Sequence, residues 1–71
     1  MSIEDIRQTI GIQLQEARLA QGKSQKDVAE LTGMKQAYIS RMESGTIAPN
    51  IATIDKYLDA IGGYKVAIIE L

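Results

Sequence analysis

Ile3, Ile6, Ile10, Leu14 and Ala17 recur in steps of three and four, which places them on one stripe of a helix. Ser2, followed by Glu4 and Asp5, gives that helix a polar start with carboxylates at the positive end of its dipole. The pattern predicts a first helix that stops near Gly22. Gly11 lies inside it at a cost of about 1 kcal/mol relative to alanine, which implies either close packing or local flexibility. Ile12 and Leu19 fall on a different face that the stripe does not explain. Ser24 is an N-cap for a second helix, Gln25 to about Thr32, ended by Gly33. A third helix follows from about Lys35 to Ser44, with Gly45 as its stop. Thr46 to Pro49 read as a loop, and Asn50 caps a fourth helix bearing Ile51, Ile54, Leu58 and Ile61. Gly62-Gly63 ends that helix. Tyr64 to Leu71, rich in Val and Ile and free of breakers, reads as a β-strand. The expected fold is all-α, a single domain over residues 1–71 with four helices and a short C-terminal strand.

The run from Ser24 to Gly45, SQKDVAELTGMKQAYISRMESG, predicts two short helices meeting at a steep angle. Such a meeting needs a small residue at the contact, and Ala29 fits. The tight turn needs a residue tolerant of positive φ, and Gly33 supplies it. Val28, Met34, Ile39 and Met42 would pin both helices to the core, and no proline interrupts the run. The plainer alternative is an ordinary helical hairpin in a small bundle.

The chain has 71 residues, no Cys and no His, which removes disulfides, thiolate nucleophiles and most transition-metal sites. Its formal net charge is −1, but the distribution is uneven. Arg18, Lys23, Lys26, Lys35 and Arg41 outnumber Asp27, Glu30 and Glu43, so residues 18–45 form the one basic segment. Acidic residues prevail on either side of it. Asp55 and Asp59 are four apart on the fourth helix, and a solvated face explains them better than a metal or acid–base pair. No apolar run approaches a membrane span and no signal peptide opens the chain, so a soluble cytoplasmic protein is expected. Nothing points to an enzyme, a metal or a cofactor.

From Ile10 to Ile61, the segments IGIQLQEARLAQGKSQKDVAELTG, YISRMESG and APN resemble the DNA-binding domain of phage lambda repressor and the wider Cro/repressor (xenobiotic-response-element) family. The resemblance implies a lambda-repressor-like helix-turn-helix domain, with the helix-turn-helix at 24–45, whose third helix enters the DNA major groove. Thr32 stands where a larger apolar residue is common and Leu31 where a polar one is usual. The family's short fifth helix is replaced by the strand.

The resemblance also assigns roles. Gln36 matches the position that reads bases, and a Gln amide pairs bidentately with adenine. Ala37, Tyr38 and Arg41 complete the base-contact candidates: a methyl for thymine, a ring that meets DNA or packs on the second helix, and a guanidinium for guanine or phosphate. Gln25 matches a residue that bonds a phosphate and braces the base-reading Gln. Lys35 is a phosphate contact, being a flexible point charge. Lys23, Ser44, Thr46 and Asn50 fall beside the DNA backbone, where contacts position without reading sequence. Arg18 and Glu43 match a pair that forms a partly buried salt bridge and fixes the recognition helix.

A lone strand carrying Val66, Ile68, Ile69 and Leu71 would be an aggregation risk in a monomer. Tyr64, Val66, Ile68, Ile69 and Leu71 are therefore expected to pair with a second copy across a two-fold axis, as a homodimer. Two recognition helices then read a palindrome in major grooves about 34 Å apart. The leading expectation is a dimeric transcriptional regulator, a repressor on a palindromic double-stranded DNA operator, its own included. The helix-turn-helix followed by a strand also resembles HigA-type and HipB-type antitoxins, which hold a toxin protein besides binding their operator. A third possibility is a protein-interaction module that does not read DNA.

Overall fold

The computed structural model describes residues 2–62, which form four helices and no strand. The first, α1 (Ile3–Ala20), opens with a reciprocal cap: the Asp5 N–H donates to Ser2 Oγ at 3.1 Å and the Ser2 N–H to Asp5 Oδ2 at 3.2 Å. The second, α2 (Gln25–Thr32), repeats the device, with the Asp27 N–H donating to Ser24 Oγ at 3.0 Å and the Ser24 N–H to Asp27 Oδ2 at 2.8 Å. Both boxes use Asp three residues after the cap and satisfy two otherwise orphaned donors. Gly33, at φ 76°, closes α2 by donating its N–H to the Ala29 carbonyl at 2.9 Å. α3 (Gln36–Glu43) is one residue shorter at each end than the pattern predicts, because Lys35 and Ser44 are its caps. In α4 (Ile51–Ile61), the Asn50 side chain accepts the Thr53 N–H at 2.8 Å.

Each helix buries one face in a shared core of Leu14, Val28, Ile39, Met42, Tyr57, Leu58 and Ile61. α3 packs on α1 and α2, and α4 packs on α2 and α1. Ala29 and Met34 lie half-buried against this core, as the two helices of the central run require. Gly11 is a close-packing site: a Cβ there would stand 2.5 Å from the Glu43 carbonyl oxygen and 2.6 Å from that of Met42. The last turn of α3 thus rests directly on the backbone of α1.

Three apolar positions depart from the expected burial. Ile3, Ile6 and Ile51 are exposed, so the α1 and α4 stripes enter the core only further along. Length explains α1. Its 18 residues extend about 27 Å against about 12 Å for the eight-residue α2 and α3, so its first turns outrun the helices beneath them. Thr32 fills its apolar-type position by satisfying its own hydroxyl, donating to the Val28 carbonyl at 2.7 Å and accepting the Met34 N–H at 3.2 Å. Leu31, Ile12 and Leu19 are exposed. The expected strand, with Tyr64, Val66, Ile68, Ile69 and Leu71, lies outside the described residues. Among the described residues no helix is long and apolar enough to cross a membrane.

Candidate nucleic-acid interface

α3 is two-faced. Ile39 and Met42 point into the core, while Gln36, Ala37, Ser40 and Arg41 are exposed and Tyr38 is half-buried against the core. The exposed positions fall at the i, i+1, i+4 and i+5 places of one helix face, which gathers an amide, a methyl, a hydroxyl and a guanidinium. Lys35, at the N-cap, stands exposed beside them. Tyr38 keeps part of its ring on the protein side of this face.

The expected backbone-contact residues lie at helix ends and in loops. Lys23 and Gln25 are half-buried around the start of α2. Ser44, Thr46 and Asn50 are exposed between α3 and α4. The Ser44 hydroxyl donates to the Arg41 carbonyl at 3.1 Å, and Ser44 and Thr46 share a hydrogen bond at 2.8 Å. Asn50 spends its carbonyl oxygen on the α4 cap, where it accepts the Thr53 N–H. The Asp27 carboxyl is held below the usual range, chiefly by the hydrogen bond from the Ser24 backbone, so it stays ionised and offsets Lys26 nearby. Asp55 and Asp59 are exposed on α4.

Beneath this surface sits a buried polar cluster centred on Glu43. Arg18 grips its carboxylate with two bonds, Nε to Oε2 and Nη2 to Oε1, each 2.9 Å. Nη1 of the same guanidinium donates to the Lys23 carbonyl at 2.8 Å, which fixes the turn before α2. Gln25 Nε2 donates to Glu43 Oε1 at 3.2 Å. The Tyr57 hydroxyl lies 2.6 Å from Glu43 Oε2 and 3.1 Å from the Leu14 carbonyl. A phenol has one proton, and the shorter, charge-assisted contact marks Glu43 as its main acceptor.

The electrostatics follow from this count of donors. Burial pushes the Glu43 carboxyl up, but the bonds from Arg18, Tyr57 and Gln25 outweigh it and hold the group below its ordinary value. The hydrogen bond to Glu43 raises Arg18 against the opposing effect of burial. Burial raises Tyr57 first, and the neighbouring Glu43 charge raises it further. Glu43 is an anion and Tyr57 a neutral donor at physiological pH.

Two members of this cluster escaped the pattern of the sequence. Tyr57 is wholly buried, yet the stripe Ile51, Ile54, Leu58 and Ile61 passes it by. The signal was present: Ile54, Tyr57, Leu58 and Ile61 also fall at helical spacing, and a buried tyrosine needs a partner for its hydroxyl. The bond of Gln25 to Glu43 had no sequence signal, because it depends on how the N-terminus of α2 meets the C-terminus of α3.

A two-faced helix held at its far end by a buried ion pair, after a capped helix and a glycine turn, is the geometry of a helix-turn-helix unit. The family model described as Helix-turn-helix matches residues 14–68, and the chain belongs to this family in its Cro/C1-type form. Among curated proteins it is similar to the HTH-type transcriptional regulator PuuR of Escherichia coli (strain K12), 40% identical over 52 residues. That match covers 73% of this chain and 28% of the relative, and PuuR of Shigella flexneri matches equally. The chain is also 39% identical over 59 residues to the Mycobacterium tuberculosis (strain ATCC 25618 / H37Rv) protein named "Putative antitoxin HigA3". This match covers 80% of the chain and 54% of the relative. The chain therefore spans well under two thirds of the length of these relatives.

Proposed function

We propose that this chain is a sequence-specific DNA-binding transcriptional regulator, a dimeric repressor of a palindromic operator, with the DNA upstream of its own gene as the first candidate. The observation that carries the reading is the exposed face of α3, where Gln36, Ala37 and Arg41 stand clear of the core in a helix-turn-helix frame. In this reading Gln36 pairs with adenine, Ala37 meets a thymine methyl, and Arg41 reaches a guanine or a phosphate. Tyr38 adds the edge of its half-buried ring. Lys23, Gln25, Lys35, Ser44, Thr46 and Asn50 bind the DNA backbone and set the register. Arg18 and Glu43 keep the reading helix in place from inside.

The whole of residues 1–71 acts as one domain in this proposal, with the tail 64–71 pairing two copies. A dimer doubles the phosphate contacts of a subunit whose basic excess is small. The protein works as a binder rather than an enzyme, in the cytoplasm where the DNA lies. A mobility-shift titration of the wild type and Gln36→Ala against the upstream DNA and a scrambled duplex tests the reading. Selective binding that Gln36→Ala loses is expected, and equal weak binding to both duplexes contradicts it. Sedimentation tests the dimer, and a monomer at micromolar concentration contradicts it.

A second reading makes the chain the antitoxin of a toxin–antitoxin pair, which binds DNA and also holds a toxin protein. The similarity to HigA3 over most of this chain favours it. Co-purification with the product of an adjacent gene, followed by loss of that product's toxicity, is the expected result. An adjacent product that neither binds nor is toxic removes this reading.

A further inference from the structure

Glu43 has two carboxylate oxygens and four donors. Oε1 accepts from Arg18 Nη2 and Gln25 Nε2, and Oε2 from Arg18 Nε and the Tyr57 hydroxyl. The tyrosine contributes the shortest of these bonds, at 2.6 Å. Tyr57 lies on α4 and is wholly buried, so it cannot touch DNA itself. Gln25 lies at the start of α2, half-buried, with its amide at the edge of the cluster. Its NH2 faces a carboxylate, and a flipped amide would turn a carbonyl oxygen onto that charge and be repelled. The Gln25 amide therefore has one favoured orientation, and that orientation depends on where Glu43 Oε1 stands.

We infer that Tyr57 is a positioning residue for DNA recognition: its hydroxyl pins Glu43 Oε2, which keeps Oε1 under Gln25 Nε2 and presets the Gln25 amide for the DNA backbone. The inference rests on the proposed phosphate contact of Gln25. Without the hydroxyl, the two Arg18 bonds still grip the carboxylate, but nothing else fixes where the pair sits, and the Gln25 bond, at 3.2 Å the longest of the four, loosens as the carboxylate shifts. The interior of the four-helix core is thereby coupled to the DNA-facing end of α2.

Two measurements on the full chain test this. The first needs no DNA. In the ¹⁵N-labelled protein, the side-chain NH2 signal of Gln25, assigned by its loss in Gln25→Ala, is expected to differ from those of the exposed Gln15 and Gln21. In Tyr57→Phe it moves towards them. A Gln25 signal that matches the exposed glutamines in the wild type, or that stays put in Tyr57→Phe, overturns the inference. The second is a cycle of DNA affinities at a temperature where circular dichroism shows every variant folded. Tyr57→Phe is expected to weaken binding about three- to tenfold in the wild-type background, the scale of one hydrogen bond, and less than about twofold in Gln25→Ala. The same loss in both backgrounds would mean that the tyrosine serves the fold alone, and would overturn the inference. Wild-type protein that binds no DNA, with the Gln25 signal behaving as expected, would instead overturn the proposed function and the DNA half of this inference.

Discussion

Gln36 and Glu43 stand at the two ends of α3, the first exposed and the second buried. Their substitutions should separate cleanly. Gln36→Ala removes a side chain outside the core, so it should leave thermal stability within about 0.5 kcal/mol of the wild type while reducing DNA selectivity. Arg18→Met keeps much of the packing volume but strands the Glu43 carboxylate in the interior. Chemical unfolding should show a loss on the order of 3–5 kcal/mol, and a loss below about 1 kcal/mol would mean that the pair is solvated in solution. The same cluster sets two limits in pH. Glu43 is held below its ordinary value, so its contribution is present above an unfolded-state pKa of about 4.3 and disappears as pH falls through the lower folded value. Tyr57 is raised, so its contribution is complete below about pH 10 and declines as pH rises beyond it. Urea midpoints across pH should therefore fall on both sides of a neutral plateau. Tyr57→Phe should flatten the alkaline limb, and an unchanged alkaline limb in that variant would exclude the tyrosine as its source.

At the scale of elements, the least obvious contact is the seat of α3 on Gly11. Gly11→Ala would improve helix propensity in isolation by about 1 kcal/mol. In the fold its methyl meets the Glu43 and Met42 carbonyls, which are backbone and cannot rotate away. Overpacking should win, with a net loss of about 1–3 kcal/mol read as a lower thermal midpoint, and a raised midpoint would contradict the close seat. The helices themselves were legible because each carries local signals. Ser2, Ser24 and Asn50 cap, Gly33 turns, and helical spacing marks the core faces. What local pattern could not convey was reach. Ile3, Ile6 and Ile51 sit on apolar stripes but near helix starts that other helices do not cover. Nor could it separate the two possibilities at Gly11, since that glycine's reason lies in Met42 and Glu43, 31 and 32 residues further along the chain. The pairing of Arg18 with Glu43 came from family resemblance. Its extension to Tyr57 and Gln25 required the crossing of four helices to be known.

The molecule as a whole is slightly acidic yet presents a basic middle segment. If that segment faces DNA, affinity should fall linearly with salt on logarithmic axes. Lys35→Ala should weaken binding to all duplexes alike and lower the slope by about 1 for each subunit, whereas Gln36→Ala should change selectivity and leave the slope nearly intact. Equal slopes for the wild type and Lys35→Ala would remove Lys35 from the phosphate contacts. DNA reading by α3 is tested most directly by the affinity of the full chain for the DNA upstream of its own gene against a scrambled duplex, at two salt concentrations, with Gln36→Ala alongside. Tight, selective, salt-sensitive binding by the wild type and loss of that selectivity in the variant are expected. Binding of equal strength to both duplexes, untouched by Gln36→Ala, would contradict DNA reading by α3.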